Sequence, residues 1–280
     1  MVPIRRNMSF KLPVHRIRSW HPEGAAVSHF FNAMSLFFPV GERFFIASVR
    51  NYQHLVQDPG LQAAVRAFIG QEAMHGREHE AYNRALQGAG LPAEALERFV
   101  KRLLSGAQRI FSPAMQLSVT IALEHFTAIL ADQLLDNPDL LGDADEQFKQ
   151  LWMWHAHEET EHKAVAYDVW SLVGPPGLGK EAQRLVGMVI AGTAFVALVG
   201  IYTAVLIEHD SRSNRGTSRT QAWADLVRFL GRPGGLLPRG IKPLFQYFRR
   251  GFHPWQHDNR DLLKLLELKG GENSTLLRAA

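Results

Sequence analysis

Ionisable side chains set into the apolar stripes of long helices constrain this chain more tightly than any other feature of its sequence. A carboxylate in a core costs on the order of several kcal/mol unless something neutralises it. The densest case is HAHEETEH, residues 155–162, which lies between Leu151-Trp152-Met153-Trp154 and Ala164-Val165-Ala166-Tyr167. On a helix, His155, Glu159 and His162 stand at i, i+4 and i+7 and share one face with Trp152, Ala166 and Val169. His157 and Glu161 point to the other side and Glu158 sits at the margin, so a solvated face is expected for those three.

Turn residues divide the chain into helical segments. Asp58-Pro59-Gly60, the Gly88-to-Pro92 stretch, Asp136-Asn137-Pro138 and Gly174-Pro175-Pro176-Gly177 are the breaks. Between them the apolar spacing predicts helices at roughly 25–56, 59–87, 93–106, 113–136 and 143–173, with little strand-like alternation. The expected architecture is an all-α four-helix bundle with additional C-terminal helices. Its parts are a basic arm at 1–23, a metal-binding bundle at 24–174, an uncharged hydrophobic helix at 181–208 and a basic tail at 209–280. The N-terminal MVPIRRNMSFKLPVHRIRSW is basic but has no uninterrupted apolar run, so no cleavable signal is expected.

A second Glu-x-x-His lies in the segment 59–87. Glu72, His75 and His79 continue the stripe of Val65 and Phe68. One such pair is a weak signal; two, each on the apolar stripe of a separate long helix, are much stronger. The other two helices each offer one carboxylate: Glu124 in line with Leu117, Ile121, Ala128 and Ala131, and Glu42 in line with Phe38, Phe45 and Val49. Arg43 and His125 are the ordinary partners to consider for Glu42 and Glu124, but adjacent residues diverge on a helix. The order Glu, Glu-x-x-His, Glu, Glu-x-x-His is the ligand arrangement of dinuclear carboxylate bundles. The chain has no cysteine, so metal chemistry must use His, Asp and Glu, a hard donor set suited to iron or manganese.

On these residues the chain resembles a bacterial family usually labelled "predicted metal-dependent hydrolase", of the ferritin-like superfamily. The resemblance covers most of the chain, including HxxEExEHKAVAYD and the later GFHPWQHD. It places metal ligands at Glu42, Glu72, His75, Glu124, Glu159 and His162. His155, one turn before Glu159, is similar to the additional histidine ligand of the arylamine N-oxygenases. His79 is expected to back a ligand or to pack in the core.

The leading functional expectation is a di-iron oxygenase or oxidase holding two iron ions, with manganese as the other metal, and using dioxygen as co-substrate. The Phe37, Phe38, Phe44 and Phe45 cluster beside Glu42 suggests a lipophilic substrate, against ordinary core packing for any one of them. A separate electron donor, a ferredoxin or reductase, would be required. The alternative is a dinuclear metal-dependent hydrolase, in which two cations polarise the substrate and activate water; a ferroxidase comes third. Nucleic acid is not expected, because no reading module accompanies the basic residues.

Residues 185–207 contain no charged side chain and are long enough to span a bilayer. Residues 211–250 carry nine Lys/Arg against Asp225 alone, including Arg215. Three readings stay open: a fifth helix buried on the bundle, a true span, or a segment lying on the anionic inner face of the cytoplasmic membrane, with a cytoplasmic catalytic bundle. A homodimer is a further expectation.

Overall fold

The computed structural model describes residues 2–173, 177–213 and 218–264, and no strand occurs among them. The Gly174-to-Pro176 break, Arg215 and the end of the basic tail beyond 264 lie outside the described residues. The expected first helix is two, α1 (Ala25–Ser35) and α2 (Phe38–Arg50). Pro39 sits in the first turn of α2; it lacks an amide hydrogen and disfavours helical geometry in the residue before it. α3 (Pro59–Gly88) starts where Asp58 accepts from the Leu61 amide, with Pro59 pre-set for the first turn. It stops at Gly90, whose φ of 81° lets the Leu91 amide return to the Leu86 carbonyl.

α4 (Ala93–Ile110) runs a turn longer than expected, and α5 (Pro113–Asp136) is capped by the Ser112 hydroxyl. The expected helix at 143–173 divides into α6 (Glu146–His162) and α7 (Val165–Val173). No Gly or Pro marks that break. Tertiary contacts hold it: Lys163 donates to the His257 carbonyl and to Asn259, and the Tyr167 hydroxyl donates to the Phe252 carbonyl. α8 (Leu178–Ser213), α9 (Arg219–Gly231) and α10 (Leu236–Gln246) complete the described helices.

α5 is the central element, in contact with α2, α6, α7, α8 and α10, while α2 packs along α3. Two apolar clusters fill the interior. One is built around Trp20, Phe31, Phe148 and Trp152, where Trp20 stacks on Phe148 at 5.1 Å. The other gathers Phe44, Phe68, Leu117 and Trp170.

The uncharged segment 185–207 lies within α8, which packs on α5 and α1. α5 and α8 are both long and apolar enough to cross a membrane. α5 is a core helix, whereas only 33% of the apolar window of α8 is buried. Gly187 and Gly192 let α8 approach α5 closely: a Cβ at Gly187 would stand 2.4 Å from the Ser118 hydroxyl, and one at Gly192 would stand 2.9 Å from the Phe126 ring. Much of the basic tail is ion-paired. Arg212 and Arg219 reach Glu208, Arg228 reaches Asp225, Arg232 reaches Glu23 and Arg239 reaches Asp136.

Candidate metal centre

The bundle brings all seven sequence-predicted ligands together. Glu42 comes from α2, Glu72 and His75 from α3, Glu124 from α5, and His155, Glu159 and His162 from α6. None is more than 3% exposed. Three groups of atoms close enough to share an ion emerge: Glu42, His75 and His155; Glu72, His75 and Glu159; and Glu72, Glu124 and His162. Glu72 and His75 each belong to two groups, so the set is one continuous cluster. Arg43 and His125 do not neutralise their neighbours. Arg43 pairs with Glu80 at the surface, and His125 faces the Pro243 carbonyl.

Both oxygens of Glu42 and Glu124 lack hydrogen-bond partners, as do Glu72 Oε2, Glu159 Oε2 and His75 Nδ1, while Glu72 Oε1 has only the His162 Nε2 atom beside it. Buried polar atoms are ordinarily satisfied. A concentration of unsatisfied carboxylate oxygens and imidazole nitrogens pointing at one another is what a hard divalent cation would complete, so the residues fit a metal. Gly76 contributes by being small: a Cβ there would lie 3.1 Å from Glu42 Oε2, so α3 presents bare backbone to that carboxylate.

Each histidine is held from behind at its other nitrogen. His75 Nε2 lies 3.1 Å from Glu158, which leaves Nδ1 3.6 Å from Glu159. His162 Nδ1 lies 2.9 Å from Gln71, and its Nε2 is 3.0 Å from Glu72, 3.5 Å from Glu159 and 3.6 Å from Glu124. His155 Nδ1 meets His79 at 2.7 Å, and its Nε2 meets Glu159 at 3.0 Å. His79 in turn contacts Ser35 at 2.9 Å, so it backs His155 and lies in none of the three ligand groups. Outer partners of this kind fix the tautomer and direction of a metal-binding imidazole.

The expected solvated face of α6 is absent: His157, Glu158 and Glu161 are at most 4% exposed. The N-terminal arm covers them. Arg6 donates to Glu161 at 2.8 Å and lies 3.6 Å from Glu158. Its backbone amide donates to Glu158 at 3.0 Å, and Glu161 also accepts from Gln71 at 2.7 Å. The two carboxylates therefore connect Arg6 to the nitrogens behind His75 and His162. Helical spacing alone assigned these residues to water because the segment that covers them lies about 150 residues earlier. Gln71 and Arg6 carried no sequence signal, although the His157–Glu161 spacing of one helical turn was available.

Burial first, and the neighbouring carboxylates second, push Glu42 and Glu124 well above the usual carboxylate range. Burial likewise raises Glu72 to about 7, against the opposing pull of His162. Burial also acts on Glu159 and His162, but their mutual attraction outweighs it, holding the acid low and the imidazole high. In the metal-free protein Glu42, Glu72, Glu124 and His162 thus hold protons more tightly folded than unfolded. Their contribution to stability is complete below the ordinary carboxylate value and is lost as pH rises through the folded values. Glu159 works the other way, in acid only. Between pH 4.5 and about 7 the metal-free protein is expected to lose on the order of 3 kcal/mol from Glu72 alone. The difference in urea unfolding between the parent and Glu72→Gln across that range isolates it from His75, His79 and His125, which burial pushes down and which gain stability as pH rises. Saturating metal should reduce the parent's loss because cations replace the protons. Metal-free profiles of the parent and of Glu72→Gln that run parallel over this range would contradict the assignment.

Two cavities meet the cluster. One of about 430 Å³ lies between α2, α4, α5 and α8; Glu42 forms part of its wall, with Phe37, Phe38, Phe45, Leu123 and Phe195 among the apolar lining. Phe44 packs in the core without lining this cavity. The other, of about 30 Å³, touches His155 and Glu159 and is otherwise walled mainly by apolar side chains such as Met34, Leu130 and Trp152.

No curated protein and no solved structure matches the chain significantly. A family model described as "Predicted metal-dependent hydrolase" matches residues 4–258, which include the whole cluster and the Arg6 network behind it. With buried His/Glu groups able to hold metal and a match across nearly its full length, the chain belongs to the family of predicted metal-dependent hydrolases.

Proposed function

We propose that the protein is an oxidoreductase of the ferritin-like type that binds two iron ions in this cluster and uses dioxygen on an apolar substrate. The observation that carries the reading is a buried cluster of four glutamates and three histidines, one of which, Glu42, forms part of the wall of a large apolar cavity. Bound as iron, the pair would supply the electrons that dioxygen chemistry requires, replenished by a separate reductase or ferredoxin. Manganese suits the same donors. The residues of the chain have definable tasks. Glu72 and Glu159 would lie between the two sides; Glu124 and His162 would serve one side, and Glu42, His155 and His75, through the one nitrogen that Glu158 leaves open, would serve the other. Phe37, Phe38 and Phe45 would exclude water and orient an apolar substrate near Glu42. The small cavity beside His155, walled mainly by apolar side chains, would leave room for a molecule the size of dioxygen next to His155 and Glu159.

Metal-dependent hydrolysis is the second reading, and the family description favours it. Hydrolysis needs water at the cations and polar groups around the substrate. Among the described residues that line the larger cavity, Thr127 and Arg102 are the only polar side chains apart from Glu42.

Anaerobic loading with iron(II), followed by metal analysis and absorbance on oxygen exposure, separates the two. Two irons per chain and a new absorption band are expected. Failure to bind iron at any loading, or ester hydrolysis by the zinc form with no oxygen response, would overturn the oxidoreductase reading. His155→Ala sharpens it further. As a ligand, its loss should retain both ions while shifting the band. If His155 only packs the core, the band should stay and the melting temperature should fall.

A further inference from the structure

Through its middle, from Ala182 to Val205, the outer face of α8 has no charge. From Ala182 to Val205 its exposed residues are Ala, Val, Ile, Thr and Gly, over roughly 35 Å of helix. A helix packed on a soluble bundle normally turns charged residues outward. α4 stands across the cavity from α8. Between Arg98 and Ile110 it carries Arg98, Lys101, Arg102 and Arg109 and no acid, and it leaves Phe99, Leu103 and Ile110 exposed. Arg102 and Arg109 are seven residues apart and so flank that apolar edge on one side. A basic helix with an exposed apolar edge is built for an anionic lipid surface.

Cavity and surface are continuous. Leu103 and Ile110 on α4 and Ile190 on α8 line the cavity and are also 42%, 79% and 41% exposed. We propose that the α4–α8 face docks on an anionic lipid bilayer and that the cavity behind it takes up one apolar chain from that bilayer, bringing it to Glu42. Charge decides the occupant: the basic flank of α4 complements acidic headgroups, and the uncharged stripe of α8 matches the acyl region. A second copy of the chain seated there would close the mouth of the cavity, whereas lipid fills it with like chemistry. The proposal uses the same cavity as the proposed function but does not depend on the metal.

The test is flotation of the purified full chain with vesicles of phosphatidylglycerol and phosphatidylcholine, or of phosphatidylcholine alone, with iron content read on the same samples. Binding to the mixed vesicles alone is expected, weakened by salt. Arg102→Ala and Arg109→Ala should each weaken it roughly fivefold, the equivalent of about 1 kcal/mol per basic residue near the surface. Val196→Glu with Ile201→Glu should abolish it while metal content and helical circular dichroism stay unchanged. Gly106→Phe addresses the cavity, since a Cβ at Gly106 meets nothing within 4 Å. It should prevent immobilisation of a stearate spin-labelled near its methyl end while leaving flotation intact. Absence of flotation with every vesicle, stearate immobilisation indifferent to Gly106→Phe, or a dimer in sedimentation that Val196→Glu dissociates would each overturn the proposal. Loss of metal with flotation intact would instead count against the proposed function alone.

Discussion

Glu72→Ala is expected to abolish tight metal binding while the helical bundle still forms. Glu72 belongs to two of the three ligand groups, so its removal opens both sides of the cluster. Replacing even an outer partner of a ligand costs about 10- to 100-fold in metal affinity, and loss of a shared ligand should exceed that. The bundle survives because its stability comes from apolar packing of the helices, not from the centre. Glu124→Gln is the informative companion. Both Glu124 oxygens lack partners, and burial and Glu72 disfavour its charge. The neutral amide should therefore weaken metal binding and leave the metal-free protein at least as stable near neutral pH. Titration with iron(II) and urea unfolding of the metal-free forms check both halves. A Glu124→Gln protein that binds metal normally but is several kcal/mol less stable would identify the cluster as a structural ion-pair network.

The second large effect is expected at Arg6. It stands between Glu158 and Glu161, which are fully and almost fully buried. With Arg6 and His157 against it, Glu161 is held down at about 2 despite burial, whereas burial raises Glu158 to about 7 even with Arg6 beside it. Removing one partner of a buried pair strands the other charge, at a cost of about 3–5 kcal/mol. Arg6→Met should cost that much by denaturant unfolding at neutral pH. It should also weaken metal binding about 10- to 100-fold, because the carboxylates behind His75 and Gln71 lose their anchor. Adding Glu161→Gln should restore part of the stability. If Arg6→Met leaves both stability and metal affinity unchanged, the arm is a passive cover.

The cluster was legible because polar side chains that meet inside a helical bundle have to repeat with the helix. Glu42, Glu72, His75, Glu124, His155, Glu159 and His162 each sit on an apolar stripe where a charged side chain has no ordinary reason to be. Helix starts were legible where a cap and a proline coincide, as at Asp58-Pro59 and Ser112-Pro113. The boundary between α6 and α7 was not, because Lys163 is held there by His257 and Asn259, nearly a hundred residues away in sequence.

By itself, then, the sequence determined which side chains face the interior of each helix, since periodicity is a local property of 3.6 residues per turn. Only the tertiary structure decided what lies behind them. His157, Glu158 and Glu161 have the spacing of a wet face, and they are dry because residues 4–6 cross over them and Gln71 meets them from α3. The same holds for α8: its lack of charge is written in the sequence, but helical spacing does not tell which of its uncharged sides packs on α5 and which faces outward. Burial of a face depends on what the rest of the chain brings to it, and that is a property of three-dimensional packing that no local pattern encodes.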